Sequence, residues 1–429
     1  MTETNIGVTQ VREPSRAVVV LLLAQVAFSL AAMAICMPSM QDWAALMGVE
    51  QSTVQLTFSV YVFSFAALQL VYGPLSDRHG RKRVLRFGLG VGVLGSFGAA
   101  LAPDMATLIA ARALQGAGSA AALVLARATV QDLFEGPERT RMMAFVGMAM
   151  GLAPPVSMVL GGQLHVWLGW RSNFVLVGVL GLGLLFSAHR WLPDVRPVTV
   201  PAGHWLPQMG SAYARLLREP VFLLHAMLAA VTTAAFYAFL GGSPVLLKGF
   251  GMGPELVGWF ILFISASYVG GNFLTSRLVR RLGERHMLVL GNACSITGLV
   301  LVLVLSWSGY HSPVAFGAPL ILLGLGHGFT MPPALTGSVG VIPELAGAAS
   351  AVAGLLQQML GALAGYVVGL LSLVGPEGPV NLGLVMLSFT LLGALSLALL
   401  SFTPLGSRAP SPGPVRVASS GRSRPGAPQ

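Results

Sequence analysis

The sequence predicts an all-α membrane protein of twelve transmembrane helices, arranged as two pseudo-symmetric six-helix halves. Three observations carry this. Of the 429 residues 55% are apolar and only 9% charged, whereas a water-facing surface needs nearer a quarter charged. Apolar runs long enough to cross roughly 30 Å of hydrocarbon as a helix recur twelve times. Short patterns of the first half also return in the second.

The spans fall at about 17–37, 55–73, 84–102, 106–133, 141–163 and 171–192, then at about 221–243, 255–276, 287–307, 314–333, 347–372 and 380–402. The polar segment 1–16 precedes them. The stretch 193–220, with Pro193, Pro197, Pro201 and Pro207, links the halves, and the Ser-, Pro-, Arg- and Gly-rich tail 403–429 has the composition of a disordered segment. Ala32-Met33-Ala34 mimics a signal-peptidase site, yet a cleaved signal has an apolar region of only about 7–15 residues. Span 1 runs longer and is expected to stay in place.

Charge placement sets the orientation. The net charge is +10, and 21 of the 25 Lys and Arg lie in the leading segment, the loops after spans 2, 4, 6 and 8, and the tail. The opposite loops hold Arg171 and Lys248, while Arg112 and Arg127 lie inside span 4. Excess Lys and Arg marks the cytoplasmic side, so both termini are expected there. No basic stripe alternates with aromatics, which excludes a nucleic-acid groove. Cys36 and Cys294 sit in or beside apolar runs and form neither a disulfide framework nor a metal cluster.

Enzyme classes fare no better. An intramembrane hydrolase needs paired aspartates, a Ser with Lys or His, or a His-Glu-x-x-His helix, and the spans offer none. Gly90-Val-Gly92-Val-Leu-Gly95 matches a dinucleotide fingerprint in form, but no strand precedes it and no acid follows, so it is read as packing glycine. Neither Lys82 nor Lys248 follows a Gly, so there is no P-loop. No catalytic residue, metal or cofactor is expected.

The repeats pair the halves. Arg78-His79-Gly80 after span 2 returns as Arg281-Leu282-Gly283 after span 8, Gln115-Gly116-Ala117-Gly118 has its counterpart in Leu323-Gly324-Leu325-Gly326, and Pro137-Glu138 in Pro343-Glu344. Internal repeats of this kind suggest alternating access around a site near the midplane.

The loop after span 2 reads G-P-L-S-D-R-H-G-R-K-R from Gly73 to Arg83. A tight turn at Gly80 beside the cations Arg78, Arg81, Lys82 and Arg83 leaves Asp77 able to pair with an Arg or to face a helix N-terminus, where the dipole favours an anion. With this motif the chain resembles the major facilitator superfamily, a resemblance that covers about residues 17–402. It implies that Asp77 latches the start of span 11 near Ala346 in the outward-facing state, with Gly73, Arg78, Gly80 and Arg81 shaping the latch. A-R-A-T-V-Q-D-L-F from Ala126 to Phe134 is similar to the Bcr/CflA drug-efflux branch, and Asp132 is expected to pair with the Arg cluster.

From Arg112, span 4 reads R-A-L-Q-G-A-G, similar to a second motif of the family. A membrane-buried Arg costs on the order of 3 kcal/mol or more and needs partners. Arg112 and Gln115 either bond polar groups of span 1 near Gln25 or Ser29, or link substrate and proton binding to rocking. Span 5 carries Gly147, Gly151, Pro154, Pro155, Gly161 and Gly162, suited to close packing and bending. Ser157 and Met158 stand where the family's antiporter pattern has Gly and Pro, which weakens the case for antiport.

The efflux branch commonly sets an acid near the outer end of span 1, where this chain has Ala34, and no Asp or Glu lies deep in any span. Proton coupling would then fall to His225 or His327, since His titrates near neutrality. The run F-Y-A-F-L-G-G-S-P from Phe236 resembles the same branch, and Tyr61, Phe65, Phe236, Tyr237 and Phe239 are candidate cavity aromatics. The resemblance implies a monomeric secondary transporter of a bacterial inner membrane, exporting hydrophobic small molecules or antibiotics in exchange for protons. The alternative is a facilitator or exporter of one metabolite without proton coupling.

Overall fold

The computed structural model describes residues 16–134, 136–192, 205–371, 373 and 375–402. Residues 1–15, the start of the linker at 193–204 and the tail 403–429 lie outside that description, as does the side chain of Asp77. The described chain is helical throughout. The helices of the first half are α1 (Arg16–Ala34), α2 (Met40–Met47), α3 (Gln51–His79), α4 (Arg81–Ala100), α5 (Met105–Leu133), α6 (Gly136–Leu168) and α7 (Arg171–Trp191). After α8 (Trp205–Leu217) come α9 (Pro220–Gly249), α10 (Pro254–Leu282), α11 (Glu284–Trp307), α12 (Pro313–Gly340), α13 (Ala346–Gly369) and α14 (Gly378–Ser401).

Eleven described helical segments are long and apolar enough to cross a membrane. The twelfth long helix, α4, opens with Arg81, Lys82, Arg83 and Arg86, which lowers its apolarity, yet it packs between α5 and α7 like the rest. The structure adds two details to the expected spans. Span 1 ends at Ala34 because the ring of Pro38 collides with the carbonyl four residues back, and the chain continues through a short turn, Met37–Ser39, into α2. The linker between the halves contains α8, whose Leu216 is fully buried against Phe222, Ile342 and Ala349 with Tyr213 packed beside it. Its apolar residues recur at helical spacing among Arg215 and Arg218, a pattern that the prolines obscured.

Each helix pairing of the first half recurs in the second. The contacts of α4 with α5 and α7, of α3 with α5, and of α1 with α5, α6 and α7 are matched by α11 with α12 and α14, α10 with α12, and α9 with α12, α13 and α14. The turns match too. Gly80 follows α3 at φ +88° and Gly283 follows α10 at φ +81°, each donating its N–H at 2.9 Å to a carbonyl four residues back. Positive φ costs glycine little and other residues more.

Glycine also sets the closest approaches. A Cβ on Gly118 would lie 2.1 Å from the backbone N of Gly92, and one on Gly95 would lie 2.3 Å from the N of Gln115. In the second half, a Cβ on Gly326 would lie 2.5 Å from the carbonyl of Gly291. Lipid supplies no hydrophobic force between helices, so this packing replaces it. Of the fingerprint glycines, Gly92 and Gly95 face α5 and Gly90 faces open space.

Gly118→Val is therefore expected to lower the melting temperature of the purified protein, since overpacking costs about 1–3 kcal/mol. Gly90→Ala, at an open position, should leave it unchanged or raise it. Differential scanning fluorimetry in detergent distinguishes the two, and equal shifts would refute the packing role.

Candidate functional site

The near end holds Gly80 and Gly283, and the far end is the opposite one. The halves meet along two equivalent seams, α3 against α13 and α6 against α10. Both tighten toward the far end. A Cβ on Gly369 would lie 2.6 Å from Gln55 Cβ, and one on Gly365 would lie 2.8 Å from Phe58 Cδ1. On the other seam a Cβ on Gly162 would lie 2.2 Å from the carbonyl O of Pro254, and one on Gly258 would lie 2.5 Å from the backbone N of Val159. Gln55 Nε2 donates across to the Gly241 carbonyl at 2.7 Å.

One charged cluster crosses this closed end. Asp42 on α2 takes Lys248 of α9 at 2.6 Å through one carboxylate oxygen and faces His165 Nε2 of α6 at 3.1 Å through the other. Lys248 Nζ also donates to the Gln41 carbonyl at 3.1 Å. The short helix α2 is held firmly enough to carry this acid. Trp43 is fully buried, with its ring 5.5 Å from Trp170 and 6.1 Å from Phe174. Sequence reading missed Asp42 and His165, and Lys248 entered only as a loop charge. The signal was there: a side with so few charges has little reason to hold these unless they meet.

Behind the seal, midway along the helices, lies a band of neutral polar groups. Tyr237 donates to Gln358 Oε1 at 2.9 Å and stands edge-on to Phe58 at 5.5 Å. Thr233 reaches Gln357 Oε1 at 3.3 Å. Gln69 of α3 comes toward Gly354 of α13. Gln69, Thr233, Gln357 and Gln358 are half-buried, so they border the space between the halves. Glutamines spread over two distant helices carry no local signature, which is why the sequence did not single them out.

Arg112 does not reach that space. It is fully buried and donates to the carbonyls of Ala32 at 2.9 Å and Met33 at 3.2 Å, and to Gln115 Oε1. Its guanidinium lies 4.2 Å over the ring of Tyr61. Ala32 and Met33 close α1, whose last carbonyls have no partner within the helix and carry the negative end of its dipole. Arg112 thus caps α1 from α5. Gln115 passes the network on to Ser96 Oγ at 2.9 Å.

The candidate aromatics divide. Tyr61, Phe65 and Phe239 are enclosed at 1% exposure or less, with Tyr61 stacked on Phe65 and bonded through its hydroxyl to the Ser29 carbonyl, so in this conformation they line no open space. Tyr237 belongs to the band, and Phe236 is half-buried beside Phe239. His225 sits in the second turn of α9 at the near end, with Nδ1 2.9 Å from the Val221 carbonyl and its ring against Gly337. His327 lies buried in α12 with no hydrogen-bond partner among the described residues. In α6, Gly161 touches the Ile35 carbonyl and Gly162 faces Pro254, whereas Gly147 opens on space and Gly151 is only loosely approached by Val269. Pro154 and Pro155 lie inside α6.

At the near end, Arg81 Nε donates to Asp132 Oδ2 at 2.9 Å and its Nη1 to Ser76 Oγ, tying the start of α4 to the ends of α5 and α3. Ser76 in turn donates to the Gly73 carbonyl at 2.7 Å. Arg78 is exposed beside Gly80.

Residues 21–366 match the Major Facilitator Superfamily. The chain is 30% identical over 393 residues to Multidrug resistance protein D of Escherichia coli (strain K12), covering 90% of this chain and 95% of that one. It is 30% identical over 309 residues to the Chloramphenicol resistance protein of Pseudomonas aeruginosa, covering 71% and 72%. Among solved structures, a bacterial homolog of the human lysosomal transporter Spinster, inward-facing and unoccupied, superposes with TM-score 0.71 at 15% identity over 92% of this chain and 98% of that one. A D-xylose-proton symporter gives 0.71 at 14% identity over 88% and 96%. These two likenesses establish the fold.

Two outcomes are expected from this geometry. Arg112→Lys should lower the melting temperature, because unpaired buried carbonyls cost about 1–3 kcal/mol each and an ammonium lacks the planar fork. Unchanged melting would remove the capping role. Asp42→Asn should open the far end: a part-exposed pair contributes at most about 1 kcal/mol, or about fivefold in population. A cysteine at Gln358, with Cys36 and Cys294 replaced by Ala, should then react several times faster with an impermeant thiol reagent supplied at the far end.

Proposed function

Because the chain belongs to the Major Facilitator Superfamily, we propose that this multi-pass membrane transporter exports apolar or weakly polar small molecules, antibiotics among them, by alternating access in exchange for protons. The observation that carries the reading is the seam. Its far end is held by contacts of small residues, the Gln55 hydrogen bond and the Asp42–Lys248 pair, all of which can part without unwinding a helix. Domain rocking needs that kind of joint.

The band of Thr233, Tyr237, Gln357 and Gln358 suits the cargo. A few neutral donors and acceptors beside aromatic surface orient a ligand without demanding a charge on it. Relatives named for multidrug and chloramphenicol resistance support the same class. The near end is assigned to the cytoplasm of a bacterial inner membrane from the distribution of Lys and Arg, and the unit is a monomer of two halves, 17–192 and 221–402. Gly73, Asp77, Arg78, Gly80 and Arg81, with Asp132 steadying Arg81, form the latch that closes on the start of α13 when the near end shuts.

Proton exchange needs a titratable group on the path, and His327 is the buried one, with His225 nearer the cytoplasm. Arg112 and Gln115 transmit motion between α1 and α5 rather than carrying the proton. A second reading, a facilitator or exporter of one metabolite without coupling, is favoured by Ala34 at the close of α1, where the efflux branch sets an acid.

The deciding experiment reconstitutes the protein in liposomes and follows cationic, neutral and anionic drugs with and without an imposed pH gradient. Gradient-driven movement of several unrelated drugs supports antiport, and His327→Gln should then abolish the dependence on the gradient while leaving passive exchange. Movement of no drug, or equal movement without the gradient, favours the facilitator. Asp77→Ala should reduce transport with little effect on membrane insertion, and wild-type transport in that variant would sink the latch.

A further inference from the structure

A groove of about 690 Å³ runs between α4 and α7 on the outer surface of the first half, away from the seam. Arg83, Arg86 and Phe87 line one wall, and Leu182, Leu185, Phe186 and His189 the other. The α4 residues stand at i, i+3 and i+4, and those of α7 at i, i+3, i+4 and i+7, so each wall is a single helix face. We infer that this groove binds an anionic phospholipid, its phosphate held by Arg83 and Arg86 at the membrane rim and its acyl chains laid over Phe87, Leu182 and Phe186.

The ordering along the groove supports this. Arg83 and Arg86 fall in the first two turns of α4, and His189 in the last turn of α7, so the basic groups gather at the near end. Leu182 and Leu185 lie one to two turns deeper along α7. Phe87 is 65% exposed, Phe186 67% and Leu182 47%, which presents a continuous apolar wall to lipid. Neither arginine has a hydrogen-bond or ion-pair partner among the described residues, and no acid lines the groove. His189 adds a ring donor. Two unpartnered guanidiniums above an apolar trough match the polarity of a lipid with a charged head, and basic pockets between spans on the cytoplasmic side recruit such lipids. Arginine also grips a phosphate through two parallel N–H groups. The assignment to the inner leaflet rests on the proposed topology, whereas the groove itself does not.

The test uses the full-length protein purified in detergent and exposed to equal amounts of phosphatidylglycerol and phosphatidylethanolamine with identical acyl chains. Native mass spectrometry reads the retained lipid. Wild type should retain phosphatidylglycerol about thirtyfold over phosphatidylethanolamine, given two cations at the site. The exposed double variant R83Q/R86Q should lose that preference. R280Q/R281Q, which removes the same charge at the corresponding end of the second half, should keep it. Excess glycerol 3-phosphate, the head without chains, should not displace the lipid. Absence of preference in wild type, equal loss in R280Q/R281Q, retention in R83Q/R86Q, or displacement by glycerol phosphate would each overturn the proposal. Retention in detergent is blind to orientation, so failure here leaves the topology and the transport reading standing.

Discussion

In hydrocarbon no water is available to satisfy a backbone N–H or carbonyl, and each group left alone costs several kcal/mol. The rest of this structure depends on that constraint. It requires helices, and it makes every interruption of a helix a problem to be answered locally. Where Pro38 stops α1, the buried carbonyls of Ala32 and Met33, left without a helical partner, are met by Arg112 from α5. The buried charge and the broken helix are two unfavourable features that neutralise each other. Where α3 turns into α4 and α10 into α11, one glycine at positive φ closes the helix within a single residue.

The same constraint shapes the contacts between helices. With lipid as apolar as the side chains, association depends on close packing, and glycine allows backbone to meet backbone. The α4–α5 and α11–α12 contacts use it inside the halves, where they hold each half together. At the seams Gly162 and Gly258 use it between the halves at the far end, while Gly365 and Gly369 make room there for the side chains of Phe58 and Gln55. One device therefore serves permanent and separable joints. What differs is what lies beyond: inside a half the polar networks of Arg112, Gln115 and Ser96 bind neighbouring helices together, whereas across the seam the polar ties are side chains on backbone carbonyls, Gln55 on Gly241, Gln163 on Glu255 and Lys248 on Gln41, and the part-exposed Asp42–Lys248 pair.

That arrangement leaves a polar band of modest chemistry between halves that can move. The band holds an aromatic hydroxyl, amides and a threonine hydroxyl. It offers hydrogen bonds in either direction and no fixed charge, which fits a transporter that accepts varied cargo better than one that demands a single ionic group.

The sequence by itself determined the number of spans, the repeat of the halves and the Gly80 turn with its pseudo-equivalent at Gly283. Each of these is a local matter, fixed by hydrophobic length, by short recurring patterns, or by the backbone freedom of one residue. It also placed Asp132 near the Arg cluster, because the pattern around both was specific. Only the tertiary structure decided what each buried side chain meets. Tyr61 and Phe65 were candidates for cargo because aromatic residues look alike in sequence, and packing turned them inward, Tyr61 beneath Arg112 and Phe65 stacked on Tyr61. Asp42, His165 and Lys248 lie on three helices far apart in the chain, and Gln69, Gln357 and Gln358 on two, so no local pattern joins them. Their meeting depends on how the two halves dock, and docking is a property of whole helix faces that no short stretch of sequence contains.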